Sequence, residues 1–194
     1  MTYAVFFDVL PKDGFAETYF EMAAELKPLV EINAGFISVE RFQNLSEPDW
    51  YLSFSQWVDE EALANWRCQK DHHQAQMCGR DLVLEDYRLR VGSSIHKSEI
   101  TQTEDRSFIF SAVGNADNIQ LIPDNHWTKI HKRPRFFKGV INPSRMIVLV
   151  DFELESTLQE MESIFSDSQI EVGVFGIRRD YGMFDRAQAP GVFA

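Results

Sequence analysis

The order of patterned segments in the first half constrains this chain most. "YAVFFDVL", residues 3–10, is an apolar run with Asp8 as its one charge, which reads as a buried strand. "PKDG" supplies a turn. Over residues 15–32 the apolar positions fall at helical spacing: Phe15, Tyr19, Met22, Leu26, then Leu29 or Val30. Pro28 is expected to kink the last turn, and Asn33 or Gly35 in "NAG" can take the left-handed conformation that ends a helix. "FISVERF" alternates, with Phe36, Ser38, Glu40 and Phe42 on one face and Ile37, Val39 and Arg41 on the other. "WYLSFSQW", 50–57, is a further strand. Asp59 reads as the N-cap of one long helix that carries Glu60 and Glu61 in its first turn, and residues 83–95 return as a strand. The sum is β-α-β-β-α-β, the ferredoxin-like order, which places both helices on one face of an antiparallel sheet. The bare face must be covered by a second sheet or by a ligand.

The second half offers that second sheet. "SFIFSAV", 107–113, is a strand, and residues 145–181 read strand, helix, strand. An offset of 95 residues sets Phe54 on Leu149, Leu63 on Leu158 and Trp66 on Met161. Little room exists between Gly114 and Pro143 for a full first helix, and the helix near 156–166 is short. The expectation is therefore an α+β chain of two tandem ferredoxin-like halves, 1–98 and 107–194, the second degenerate. Their sheets would face each other across the polar linker 96–106.

Charge narrows the partners. The formal net charge is −11, and the one basic run is "KIHKRPRFFK", 129–138. A nucleic-acid binder needs a basic face, so none is expected; the run reads as a solvated hairpin. No apolar stretch is long enough for a bilayer. "MTYAVFFDVLPKDG" has no leader pattern, so a cytoplasmic location is expected. Cys68 and Cys78 lie too far apart along a helix to pair and read as free thiols. His126 and His131, beside Trp127, lack the further ligands a metal site needs. No phosphate-binding glycine loop or nucleophile elbow is present.

The ordered set Trp57, Trp66, His72, Ala75, Gln76, Gly79, Arg80, Asp86 and Tyr87 resembles the antibiotic biosynthesis monooxygenase superfamily, over about residues 3–95. "IRRDYGMFDRAQAP", 177–190, is similar to the C-terminal extension of many such proteins. The resemblance implies the dimeric α+β barrel fold. It also implies oxygenase chemistry, either cofactor-free on aromatic polyketides and quinols or haem-degrading. In the haem-degrading members the Trp and the iron-ligating His stand further apart than Trp66 and His72 or His73 do here. No cofactor is therefore expected, with haem as the third reading.

Two histidines compete for the site. On one continuous helix, at about 100° per residue, His73 shares a stripe with Trp66 and Met77, while His72 shares a polar stripe with Gln69 and Gln76. The resemblance picks His72; helical phase picks His73. A neutral imidazole facing the cleft can accept a substrate proton. The bland alternative is a surface histidine bonded to Asp71. Asp8 is the other candidate base, a carboxylate near a pocket. Trp66, Met77 and Phe6 would wall a small aromatic substrate, and Tyr87 faces it by the resemblance. The expected function is a monooxygenase with at most one such site per chain, acting as a monomeric pseudo-dimer or a homodimer. The alternative is a non-catalytic binding protein, which a pocket filled by Phe and Trp would favour.

Overall fold

The computed structural model describes residues 1–96, 107–120, 133–153, 158, 164–165 and 169–191. Residues 97–106 of the linker, the pair His126 and His131, and Met161 lie outside them.

Eight antiparallel strands close a barrel. In the first half β1 (Tyr3–Pro11), β2 (Phe36–Asn44), β3 (Tyr51–Trp57) and β4 (Leu84–Ser94) form the sheet order β4-β1-β3-β2. In the second half β5 (Phe108–Asn115), β6 (Arg135–Gly139), β7 (Arg145–Phe152) and β8 (Glu171–Gly182) repeat that order as β8-β5-β7-β6. The halves join edge to edge, β2 on β6 and β4 on β8, so no strand edge is left open. The fold is thus the α+β barrel of two ferredoxin-like halves, closed within one chain.

Residue alternation sorts the side chains. Phe6, Phe42, Leu52, Phe54, Ile109, Ile147, Leu149 and Phe175 meet inside the barrel, which is how the bare sheet face is covered. Val5, Phe7 and Val9 point the other way, toward the helices. The offset of 95 holds for sidedness: Phe54 and Leu149 are both interior.

Three expectations need correction. The basic run is not a solvated hairpin throughout, because Arg135–Gly139 form β6 and Phe137 is fully buried between β2 and β7. Phe36 and Phe42 do not share a face: a register shift between Phe36 and Ser38 turns Phe36 out to meet Trp57 edge-on, ring centroids 5.3 Å apart. Finally, the long helix after Asp59 is broken. It runs as α2 (Glu60–Cys68), then α3 (Lys70–Cys78), then a wide turn of π geometry at Gly79–Val83. In the same helix layer lies α1 (Ala16–Glu31), across the cavity from α2 and α3; the second half contributes the short α4 (Ala116–Gln120).

The two helix-side layers differ. In the second half Phe108, Phe110, Val148, Val150 and Phe152 pack solidly with Leu158 and Phe165. In the first half the space between sheet and helices stays open.

Candidate active site

That open space is a cavity of about 310 Å³, roofed by α1, α2 and α3 and floored by β1, β3 and β4. Its walls are mostly apolar, with Phe7, Leu26, Trp57, Leu63, Trp66 and Leu89 among them. The C-terminal end closes one side through Tyr181, Arg186, Pro190 and Gly191.

The break at Gln69 builds the site. Gln69 adopts extended backbone (φ −62°, ψ 134°) and its Oε1 accepts from the His72 N–H at 2.6 Å, capping α3. Gln69 Nε2 donates to Asp71 Oδ2 at 2.8 Å, so Asp71 is engaged by the cap rather than by His72. The interruption resets the helical phase. His72 now stacks on Trp66, centroids 4.4 Å apart and planes 15° from parallel, and Trp66 in turn stacks on Trp57 at 6.4 Å. The phase argument for His73 as partner of Trp66 fails for this reason, although His73 also lines the cavity.

His72 Nδ1 lies 2.9 Å from the Trp66 carbonyl. A carbonyl only accepts, so Nδ1 carries the proton and Nε2 holds the lone pair. The Gln76 Nε2 lies 3.3 Å from the same Nδ1. Burial pushes the His72 imidazole down to about 4, against the opposing pull of the Trp66 carbonyl; His73 adds a smaller push in the same direction. At neutral pH His72 is an uncharged acceptor on an apolar wall.

Tyr87 lies on the cavity side of β4, buried, with its hydroxyl accepting from Arg186 and its ring edge-on to Phe7 at 5.6 Å. Arg88 points to the other face and pairs with Asp180. Met77 is a correction: it is 48% exposed and does not line this cavity, because α3 starts in a new phase. Phe6 and Asp8 are corrections of the same kind, since strand alternation sends both into the barrel, away from His72. Asp8 is no lone base there. Its Oδ2 accepts from Arg90 Nη2 at 2.9 Å and its Oδ1 from Arg135 Nη1 at 2.9 Å. Arg90 also donates to Asp151 at 2.5 Å, so two aspartates and two arginines clamp the halves together.

Sequence reasoning missed Tyr19, Arg41 and Ser53, which meet on the cavity floor and α1. The one signal available was that Arg41 shares a strand face with Val39. Among the described residues no group of three His, Cys, Asp or Glu could hold a metal ion. No helix there is long and apolar enough to cross a membrane. Cys68 and Cys78 are free.

The model of the antibiotic biosynthesis monooxygenase family matches residues 2–77. The jasmonate monooxygenase ABM of Pyricularia oryzae is 35% identical over 213 residues, spanning 97% of this chain and 96% of that protein. The chain belongs to the antibiotic biosynthesis monooxygenase family. Among solved structures, an anthrone oxidase-like protein aligns over 98% of this chain and 97% of its own, at 10% identity and a TM-score of 0.41. A protein from Shewanella oneidensis aligns over 46% of this chain and 87% of its own, at 19% identity and a TM-score of 0.44. The family match and the full-length relative agree with the resemblance carried by Trp57, Trp66 and His72.

Proposed function

We propose that the chain is a monooxygenase that takes a small, mostly apolar molecule into the cavity between the first sheet and its helices, and oxidises it with molecular oxygen beside His72 and Trp66. The observation that carries this is the neutral His72, tied through Nδ1–H to the Trp66 carbonyl, so that Nε2 is an acceptor on an apolar wall. An aromatic or quinol-like substrate with an acidic hydroxyl donates to that nitrogen. A base with a pKa near 4 does not hold a phenolate in the resting complex. It takes the proton as an electron leaves for oxygen, because an oxidised phenol is a far stronger acid than its parent. The apolar walls keep water from the reacting centre.

Such a substrate brings its own electrons. An activated CH2 and O2 give a ketone and water in balance, with no added reductant and no cofactor. A second reading is favoured by the full-length relative, named a jasmonate monooxygenase. Hydroxylating an unactivated carbon of a molecule like jasmonate takes O2, two further electrons and two protons, yielding alcohol and water, so a reductant must be supplied. The pocket filled by Phe and Trp that would decide for a protein without catalysis is not found beside His72, where the cavity is open.

An oxygen electrode separates these. Turnover of 1,8-dihydroxyanthrone without reductant, lost in His72→Ala, is the expected result for the first reading. Oxygen uptake only with jasmonate and a reductant supports the second. No uptake with either, alongside saturable binding of both, sinks the enzyme reading and leaves a binding protein.

A further inference from the structure

The chain carries 30 acids and 19 lysines and arginines, yet among the described residues no Asp or Glu lines the cavity, while Arg41, Arg67, Arg80, Arg179 and Arg186 all do. Two of these are engaged: Arg179 pairs with Glu60 at 2.9 Å, and Arg186 donates to the Tyr87 hydroxyl. Arg41 is different. Among the described residues no carboxylate lies within ion-pair distance of it. Its Nη2 reaches the Ala23 carbonyl at 3.5 Å, it shares a hydrogen bond with Tyr19, and its Nε is buried without a partner. Tyr19 and Ser53 share a hydrogen-bonded group with it, and all three line the cavity. A guanidinium beside apolar walls with donors unspent is costly unless an anion completes it.

We propose that Arg41, with Tyr19 and Ser53, binds the carboxylate of the substrate, which makes the natural substrate class a small apolar carboxylic acid. The inference rests on the cavity being the substrate site. A planar fork of N–H donors suits a carboxylate, which it grips with two parallel bonds. Position adds a length rule. Arg41 pairs with Ser53 across β2 and β3, and Ser53 lies four residues along β3 from Trp57, on which Trp66 stacks. Four residues of strand span roughly 13 Å. The acid group is thereby held toward the Ser53 end while the far end of the molecule lies toward Trp66 and His72.

The test is calorimetric titration of the full chain with two pairs, decanoate against methyl decanoate and 4-phenylbutanoate against its methyl ester. The acids bind about tenfold or more tightly than the esters. Arg41→Gln weakens the acids and leaves the esters unchanged, and Arg41→Lys restores part of the preference. The thermal midpoint of ligand-free Arg41→Gln is not lowered, since an uncompensated charge has been removed; this separates lost binding from lost folding. Equal binding of acids and esters to the wild type overturns the proposal, as does an equal loss of both in Arg41→Gln. If esters and neutral phenols bind as well as acids, the cavity remains the substrate site and only the carboxylate assignment falls. If no compound binds, both fall.

Discussion

At the scale of single residues, His72 and Asp8 show how environment assigns roles that residue type leaves open. Both are groups with acid–base chemistry on the same half of the chain. His72 keeps one nitrogen for the cavity, whereas both Asp8 oxygens are spent on arginines. His72→Ala is expected to lower kcat/KM by about a hundredfold or more, and His73→Ala by only a few-fold, in a steady-state assay. The pH profile of kcat/KM should run flat through 6.5 and fall only as pH drops toward about 4, where His72 takes a proton. A break near 6.5 that vanishes in His72→Gln would contradict this. Stability follows the same group. Between pH 6.5 and about 4 the unfolded histidine binds a proton that the folded one refuses, so stability is lost as pH falls through that window. The loss reaches at most about 3 kcal/mol by pH 4, read as the pH-dependent difference between wild type and His72→Gln in urea unfolding. Asp8→Ala leaves the buried Arg90 and the half-buried Arg135 with Asp151 as their one carboxylate and should cost up to about 3 kcal/mol in the same experiment.

At the scale of elements, the break between α2 and α3 and the end of α1 decide what meets the cavity. Gln69 is the N-cap that keeps α3 out of phase with α2. Gln69→Ala should cost about 1 kcal/mol and raise KM, because the stack of His72 on Trp66 loses its anchor. Gly35 closes α1 with φ +84°, and a Cβ there would meet Val58 Cγ2 and Ala62 Cβ, both at 2.6 Å. Gly35→Ala therefore pushes α2 away from α1 and should lower the thermal midpoint as well as activity. A midpoint within a degree or so of wild type would show that α2 is free to shift. Asp59 caps α2 as its position predicts, accepting from the Ala62 N–H at 2.8 Å.

At the scale of the molecule, two unequal halves share one barrel. Among the described residues the second half fills its helix side with Phe and Val, whereas the first keeps a cavity there while the second sheet covers its other face. Since both open edges are paired within the chain, the 22.5 kDa protein is expected to sediment as a monomer. A fragment of residues 1–96 exposes the barrel face built on Phe6, Phe42, Leu52 and Phe54. It should sediment as a dimer or larger. A monomeric, folded fragment would show that the second half is not needed to cover that face.

Periodicity alone read the strand order of the first half, the helix–sheet sidedness of most positions and the duplication, because burial of one face imposes a repeat of two on strands and about 3.6 on helices. The resemblance of Trp57, Trp66 and His72 to a known family added the fold's name and the histidine. What periodicity misjudged were breaks in period: the bulge at Ile37, the interruption at Gln69 and the strand β6 within a basic run. Each follows from a contact remote in sequence or from a side-chain cap, neither of which a local pattern records. The fate of Asp8 shows the same limit. Alternation places it opposite Val9, but only the closing of the barrel brings Arg135 and Asp151 to it, and only tertiary structure leaves the Arg41 Nε buried without a partner.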